Sequence, residues 1–258
     1  PASGPVDLWA PASGVGIRID SGICTGQSIS PFYDPMVAKI IGFGKTREMA
    51  RRRLIEALKN TVLFGTPNNK DFLIDCLEKQ SFIDGAATTA FIAEEFSASD
   101  MAIRPPDFVD SAVAACIELT LENQKHQQSS LLVSECLKNW TSASAMVSRK
   151  QYWFGELTHD LSVSPIDNSA DSYKVTDASA NRSAEVQFVS FDKNIAQVQV
   201  DSTVVSVHFQ LLKHGQLYCS VDGRSAFFKD MIILDGALDE GVGGGRVIAP
   251  MHGLLLEV

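Results

Sequence analysis

Between residues 183 and 233 the chain is a succession of short runs that alternate apolar and polar side chains, and no other feature limits its fold so strongly. The runs are Ser183–Phe191, Ile195–Val200, Thr203–Leu211, Gln216–Val221 and Arg224–Ile233. Neighbouring residues of a strand point to opposite faces. In Thr203–Leu211 this puts Val205, Val207, Phe209 and Leu211 on one face, with Ser206, His208 and Gln210 on the other. The gaps hold turn formers: Asp192–Lys193–Asn194, Asp201–Ser202, His214–Gly215 and Asp222–Gly223. Asp-Gly between alternating runs specifies a tight hairpin. Five or more consecutive hairpin strands predict an antiparallel barrel, the arrangement that removes exposed sheet edges.

One long helical pattern stands in front of these strands. Ser97–Pro106 is polar and ends in Pro105–Pro106, which marks a domain boundary. Asp107 to Lys125 follows with Val109, Val113, Cys116, Ile117 and Thr120 along one face, and His126–Ser130 ends the pattern. We expect the barrel to wrap or abut this helix.

Residues 1–96 mix strands and helices, an α+β piece with a small sheet. Val15–Ile19, Val37–Ile41 and Thr61–Phe64 read as strands. Thr46 caps a helix that runs to Lys59, with Ala50, Leu54, Ala57 and Leu58 inward and Arg51, Arg52 and Arg53 mostly on the solvated face. Asn69–Lys79 and Thr88–Phe96 read as two further helices.

Several function classes are excluded by what the chain lacks. Its 258 residues carry 22 Lys and Arg against 31 Asp and Glu, a net charge of −9. Such a chain has no basic footprint for nucleic acid or an anionic membrane. Its apolar runs, such as Met231–Leu234 and Leu254–Leu256, are far shorter than the roughly 20 residues that span a bilayer. Five scattered cysteines (Cys24, Cys76, Cys116, Cys136, Cys219) show no metal spacing and read as free thiols of a reducing compartment. The five histidines are equally scattered. Gly241–Gly245 lacks the Lys-Ser/Thr of a phosphate loop and reads as a linker, and no G-x-S-x-G is present. No residue is assigned a catalytic, cofactor-binding or metal role. The start at Pro1, without Met, and the end inside the apolar run Val247–Val258 lead us to expect a piece of a longer protein.

The informative stretch is Pro31-Phe-Tyr-Asp-Pro-Met-Val-Ala-Lys39, an acidic turn running into a strand. Taken alone, it is equally a loop whose Asp34 caps local N–H groups. Arg18–Gly22, this stretch, Gly44-Lys-Thr-Arg-Glu-Met-Ala50, Asn68–Asn69, Phe72–Leu73, Phe82, Gly85 and Thr88–Ile92 together resemble the C-terminal subdomain of biotin carboxylase, an ATP-grasp enzyme. Independently, Ala249-Pro-Met-His-Gly253 is similar to the first strand of a biotin carboxyl carrier domain. The whole order resembles the biotin-bearing α subunit of an acyl-CoA carboxylase. Leu8–Pro11 and the Tyr33–Met36 turn look closest to the methylcrotonyl- and geranyl-CoA types.

The resemblance implies three units: residues 1–100 as carboxylase subdomain, 101–240 as a helix-plus-barrel docking unit (the family's BT domain), and 241–258 as linker and truncated carrier. It implies biotin, ATP and Mg²⁺ for the parent subunit and none bound by this stretch, because the ATP-grasp core and the biotinyl-lysine motif would lie outside it. It implies a carboxyltransferase β subunit and further α subunits as partners, an acyl-CoA reached through the partner, and a cytoplasmic or, in eukaryotes, mitochondrial matrix location. Arg18, Tyr33, Asp34 and Lys39 match family positions in subunit contacts and framework, and Trp140 is a candidate docking anchor. A non-enzymatic barrel scaffold and a propionyl- or acetyl-CoA carboxylase α subunit remain as other readings. Pyruvate and urea carboxylases share the N-terminal motif but are not expected to place a barrel here.

Overall fold

The computed structural model describes residues 3–32, 34, 36–102, 104–130, 139, 146–166, 169, 171–213 and 215–234. The sequence readings at Tyr33, Cys136, Trp140, His214, 241–245 and 247–258 lie outside these residues.

The first hundred residues hold strands β1 (Gly4–Pro5), β2 (Leu8–Ala10), β3 (Ile17–Ser21), β4 (Ser28–Ile29), β5 (Ala38–Gly42) and β6 (Val62–Phe64). They pair antiparallel as β1–β4, β2–β6 and β3–β5, so the small sheet expected from sequence is three separate ribbons. The β3 strand starts at Ile17 rather than Val15, because Gly16 turns the chain at φ +79°. A Cβ there would stand 2.6 Å from the Phe43 carbonyl oxygen, so only glycine fits.

Helices α1 (Arg47–Asn60), α2 (Lys70–Glu78), α3 (Gln80–Ile83) and α4 (Phe91–Glu95) complete this part. Thr46 caps α1 as expected, its hydroxyl oxygen accepting the Met49 N–H. Ala57 and Leu58 are buried. The arginine triplet is not a simple solvated face. Arg51 donates to Glu48 and to the Leu77 carbonyl, and Arg53 donates to the Phe43 carbonyl. Both side chains fasten α1 to its neighbours, leaving Arg52 as the exposed one. The α4 helix is shorter than the expected Thr88–Phe96, since the Thr88 hydroxyl ties off the Ala90 N–H before the helix begins.

The α5 helix spans Phe108–Ser129, one turn beyond the expected end. Asp107 and Asp110 form a reciprocal capping box at its start. Strands β7 (Ser148–Phe154), β8 (Leu157–Pro165), β9 (Ser172–Asp177), β10 (Arg182–Phe191), β11 (Ile195–Val200), β12 (Thr203–Lys213), β13 (Gln216–Val221) and β14 (Arg224–Lys229) form one antiparallel sheet in chain order. The last five were legible; β7, β8 and β9 were not. The first and last strands meet through a bridge between Tyr152 and Asp230, so the sheet closes. Arg224–Ile233 is not one strand: it stops at Lys229, and Met231–Leu234 is a helical turn.

The closed sheet curls around α5, which packs against β7, β8, β10, β11 and β13. This overturns the one-sided helix drawn from sequence. Ser111 to Thr120 are buried on every side, while Val109, placed on the inner stripe, is exposed. Ser111, Ala112, Ala114, Ala115 and Cys116 keep the helix slim enough for an eight-stranded enclosure. Around them Tyr152, Leu161, Val186, Val198, Phe209, Leu217 and Phe228 form the core.

Candidate functional site

The β3–β5 ribbon sets two of the sequence-selected residues, Arg18 and Lys39, on one face. Its register pairs Arg18 with Ile41 and Asp20 with Lys39. Alternation puts Ile17, Ile19, Ala38 and Ile40 against α1 and turns Arg18, Asp20, Lys39 and Ile41 outward. Arg18 grips Asp20 with two nitrogens, at 2.9 and 2.7 Å. The Arg18 hydrogen bonds, with a smaller share from Lys39, hold the Asp20 carboxyl below its ordinary range.

Asp34 lies in the loop leading into β5. Its Oδ1 accepts the Met36 N–H at 2.8 Å, so it braces the turn locally. Phe32 and Met36, on either side of it, are exposed to 89% and 63%, and Val15 and Phe43 are exposed near the Gly16 turn. The ribbon therefore shows the solvent an ion pair, a lysine across from its carboxylate and apolar side chains, with no nucleophile–base pair among the described residues. Such a surface suits a contact with protein. Among the described residues, no group of three or more His, Cys, Asp or Glu could hold a metal ion.

A second region escaped the sequence reading: the junction between the N-terminal part and the barrel. Phe64, at the end of β6, stacks on Tyr218 of β13 with ring centroids 5.2 Å apart. Lys70 is buried, its ammonium donating to the Thr61 carbonyl at 3.0 Å and the Ser225 hydroxyl at 3.4 Å. Burial pulls its pKa down to about 8, opposed only in part by Asp71. A cleft of about 1020 Å³ opens beside these contacts, lined by Phe72, Phe227, Arg104 and Asp110 among others. Burial pushes Asp110 up to about 6. A signal was present: Tyr218 and Phe227 occupy the outward rows of their strands, and aromatic residues there mark a covered surface.

Residues 1–94 match the family described as the biotin carboxylase C-terminal domain. Biotin carboxylase 1 of Bacillus subtilis is 38% identical over 92 residues, 36% of this chain and 20% of the relative. The propionyl-CoA carboxylase alpha chain of Caenorhabditis elegans is 28% identical over 214 residues, 81% of this chain and 27% of the relative. That alignment is too long to stop at residue 94 and reaches into the barrel. The chain thus spans about a fifth to a quarter of the length of these curated relatives. Among solved structures, the biotin carboxylase domain of a thermophilic 2-oxoglutarate carboxylase bound to bicarbonate matches 36% of this chain and 21% of its own, at 30% identity and TM-score 0.36. No helix among the described residues is long and apolar enough to cross a membrane.

Proposed function

We propose that this chain is the connecting portion of the biotin-bearing α subunit of an acyl-CoA carboxylase. The observation that carries the reading is the order of units: a biotin carboxylase C-terminal domain leads directly into a barrel closed around one helix, and similarity to a propionyl-CoA carboxylase alpha chain continues past the first unit. In the intact subunit, an upstream ATP-grasp core would carboxylate biotin with ATP, Mg²⁺ and bicarbonate. A carrier beyond residue 258 would take the carboxyl group to a carboxyltransferase β subunit and its acyl-CoA. This stretch would supply docking and tethering, a task governed by effective concentration rather than by reacting groups.

The β3–β5 face, with Arg18 and Lys39, would meet the rest of the carboxylase unit or another α subunit. The barrel would dock the carboxyltransferase subunit, with Trp140 as an anchor, and residues 241–245 would belong to the carrier tether. The long alignment favours a propionyl-CoA type over the methylcrotonyl- and geranyl-CoA types that Leu8–Pro11 resembles. The complete subunit should be expressed, and its co-purifying partners identified. Recovery of a carboxyltransferase and biotin-dependent carboxylation of propionyl-CoA in preference to methylcrotonyl-CoA support the reading. Recovery of the barrel with an unrelated partner and no carboxyltransferase favours the scaffold reading instead.

A further inference from the structure

The barrel closes along only part of its last strand. The described bridge between the first and last strands joins Tyr152 of β7 to Asp230, one residue past β14. Moving two residues along each antiparallel strand, the same register sets Phe154 against Phe228. Phe154 is where β7 ends, because Gly155 and Glu156 turn the chain back to Leu157 of β8. Arg224–Phe227 of β14 therefore run past the end of β7, with no strand beside their outer edge among the described residues.

The hydrogen bonds on the inner edge show which backbone groups are left over. Asp230 donates its N–H to the Gly215 carbonyl, and β14 pairs with β13 without a bulge from Arg224 to Lys229. Successive residues of an antiparallel strand turn their N–H and C=O to opposite neighbours. Arg224, Ala226, Phe228 and Asp230 thus face β13, while Ser225 and Phe227 turn theirs away. Among the described residues nothing pairs with these four groups. An unpaired edge of this kind is a template for another extended chain.

The cleft of about 1020 Å³ lies along this edge. Arg224, Ser225, Ala226, Phe227 and Phe228 all line it. Consecutive side chains of a strand point to opposite faces, so five in a row share one cavity only when it lies against the strand's edge. Phe154 borders the cleft from the β7 side and Phe72 from α2, which also covers Ser225 through Lys70. The walls are acidic: seven carboxylates line the cleft against Lys59, Arg104 and Arg224. Two of those cations are already held, Lys59 by Asp222 and Arg104 by Asp75.

We propose that the free edge of β14 is a docking site for an extended, basic segment of a partner protein. The segment adds as a short strand to Ser225–Phe227, and its backbone completes the four unpaired groups. Its apolar side chains lie among Phe72, Phe154 and Phe227. A lysine or arginine on it meets Asp110, a carboxylate that burial holds at a disadvantage and a cation would relieve.

The test starts from a phage-displayed library of random dodecapeptides selected on the full 258-residue chain, followed by amide hydrogen exchange with the strongest binder. Selected sequences should mix lysine or arginine with apolar residues. With that peptide at about ten times its Kd, exchange at the Ser225 and Phe227 amides should slow about tenfold. Ser225→Pro removes an outward N–H without touching the β13 ladder and should abolish the protection. Should that variant fail to fold, methylating alternate backbone nitrogens of the peptide decides, and should weaken binding about tenfold or more. Failure to enrich any peptide, enrichment of acidic or uncharged ones, protection elsewhere, or equal binding of the methylated peptide overturns the proposal. Protection of both amides in the free chain also overturns it: independent of concentration, it assigns the edge to residues of the same chain, and rising with concentration, to a second copy.

Discussion

Lys59, in the last turn of α1, places its ammonium 3.1 Å from Asp222 in the β13–β14 turn. The ion pair is the visible part of a much closer approach. Gly223 stands at φ +86°, and a Cβ on it would lie 2.7 Å from the Lys59 Cα. The tight turn that the Asp-Gly dipeptide specifies is thus also the knuckle on which the N-terminal part rests. Both side chains of the pair are partly solvated, so Lys59→Ala should lower stability by less than about 1 kcal/mol. Gly223→Ala adds backbone strain and a clash, and should lower it by about 2–4 kcal/mol. Urea unfolding of both variants checks the contrast; equal losses would mean that the approach is not tight.

Phe64 is 1% exposed and stacked on Tyr218. Phe64→Ala removes a buried ring from the junction and should destabilise the chain by about 3–5 kcal/mol. A protease ladder should then show earlier cleavage around residues 97–106, where the N-terminal part joins the barrel. A barrel and N-terminal part that unfold together as in wild type, with little loss, would contradict this.

Lys70 gives the junction its own pH dependence. Its folded pKa, about 8, lies below the ordinary 10.5. Between those values the unfolded chain binds more protons than the folded one, so this residue makes stability rise with pH above 8. Wild type and Lys70→Met should therefore diverge across pH 8–10, with the rise absent from the variant. Melting curves at fixed ionic strength measure it, and parallel profiles would remove Lys70 as the source.

Arg18 is 71% exposed at the side chain and bonds only a neighbouring exposed carboxylate among the described contacts. Arg18→Ala should leave the stability of this chain within about 0.5 kcal/mol of wild type. In the complete subunit it should weaken association, read by mass photometry across a dilution series. Unchanged association would show that the β3–β5 face is not a contact surface.

The legible parts of the fold were those where local chemistry and tertiary structure agree. Thr46 caps α1, and Asp222–Gly223 turns between two alternating strands, because a single dipeptide or hydroxyl fixes each. The β7–β9 strands were hidden because polar and charged residues occupy their inward rows: Lys150 and His159 are buried at 2% exposure. The same rows held a clue, since a lysine alternating with Tyr152 and Phe154 signals a charge that must find partners inside. The wrapped helix was misread as one-sided because Ser111 and Glu118 break its apolar surface, while their burial is decided by strands that come later in the chain. At the ribbon, the order of motifs singled out Arg18 and Lys39, but their shared face comes from the β3–β5 register, and the bracing role of Asp34 follows only from the position of the Met36 N–H.

A helix enclosed by strands that all follow it imposes an order of assembly. The α5 segment leaves the ribosome before any of the eight strands that enclose it. Each hairpin can then zip onto the one before, a sequence of short loop closures. The enclosure is finished only when Asp230 reaches Tyr152. Until that last contact forms, the newborn chain carries a strand edge and a slick apolar helix in the open, which makes the interval before the last strand docks the point of greatest exposure of this barrel to aggregation.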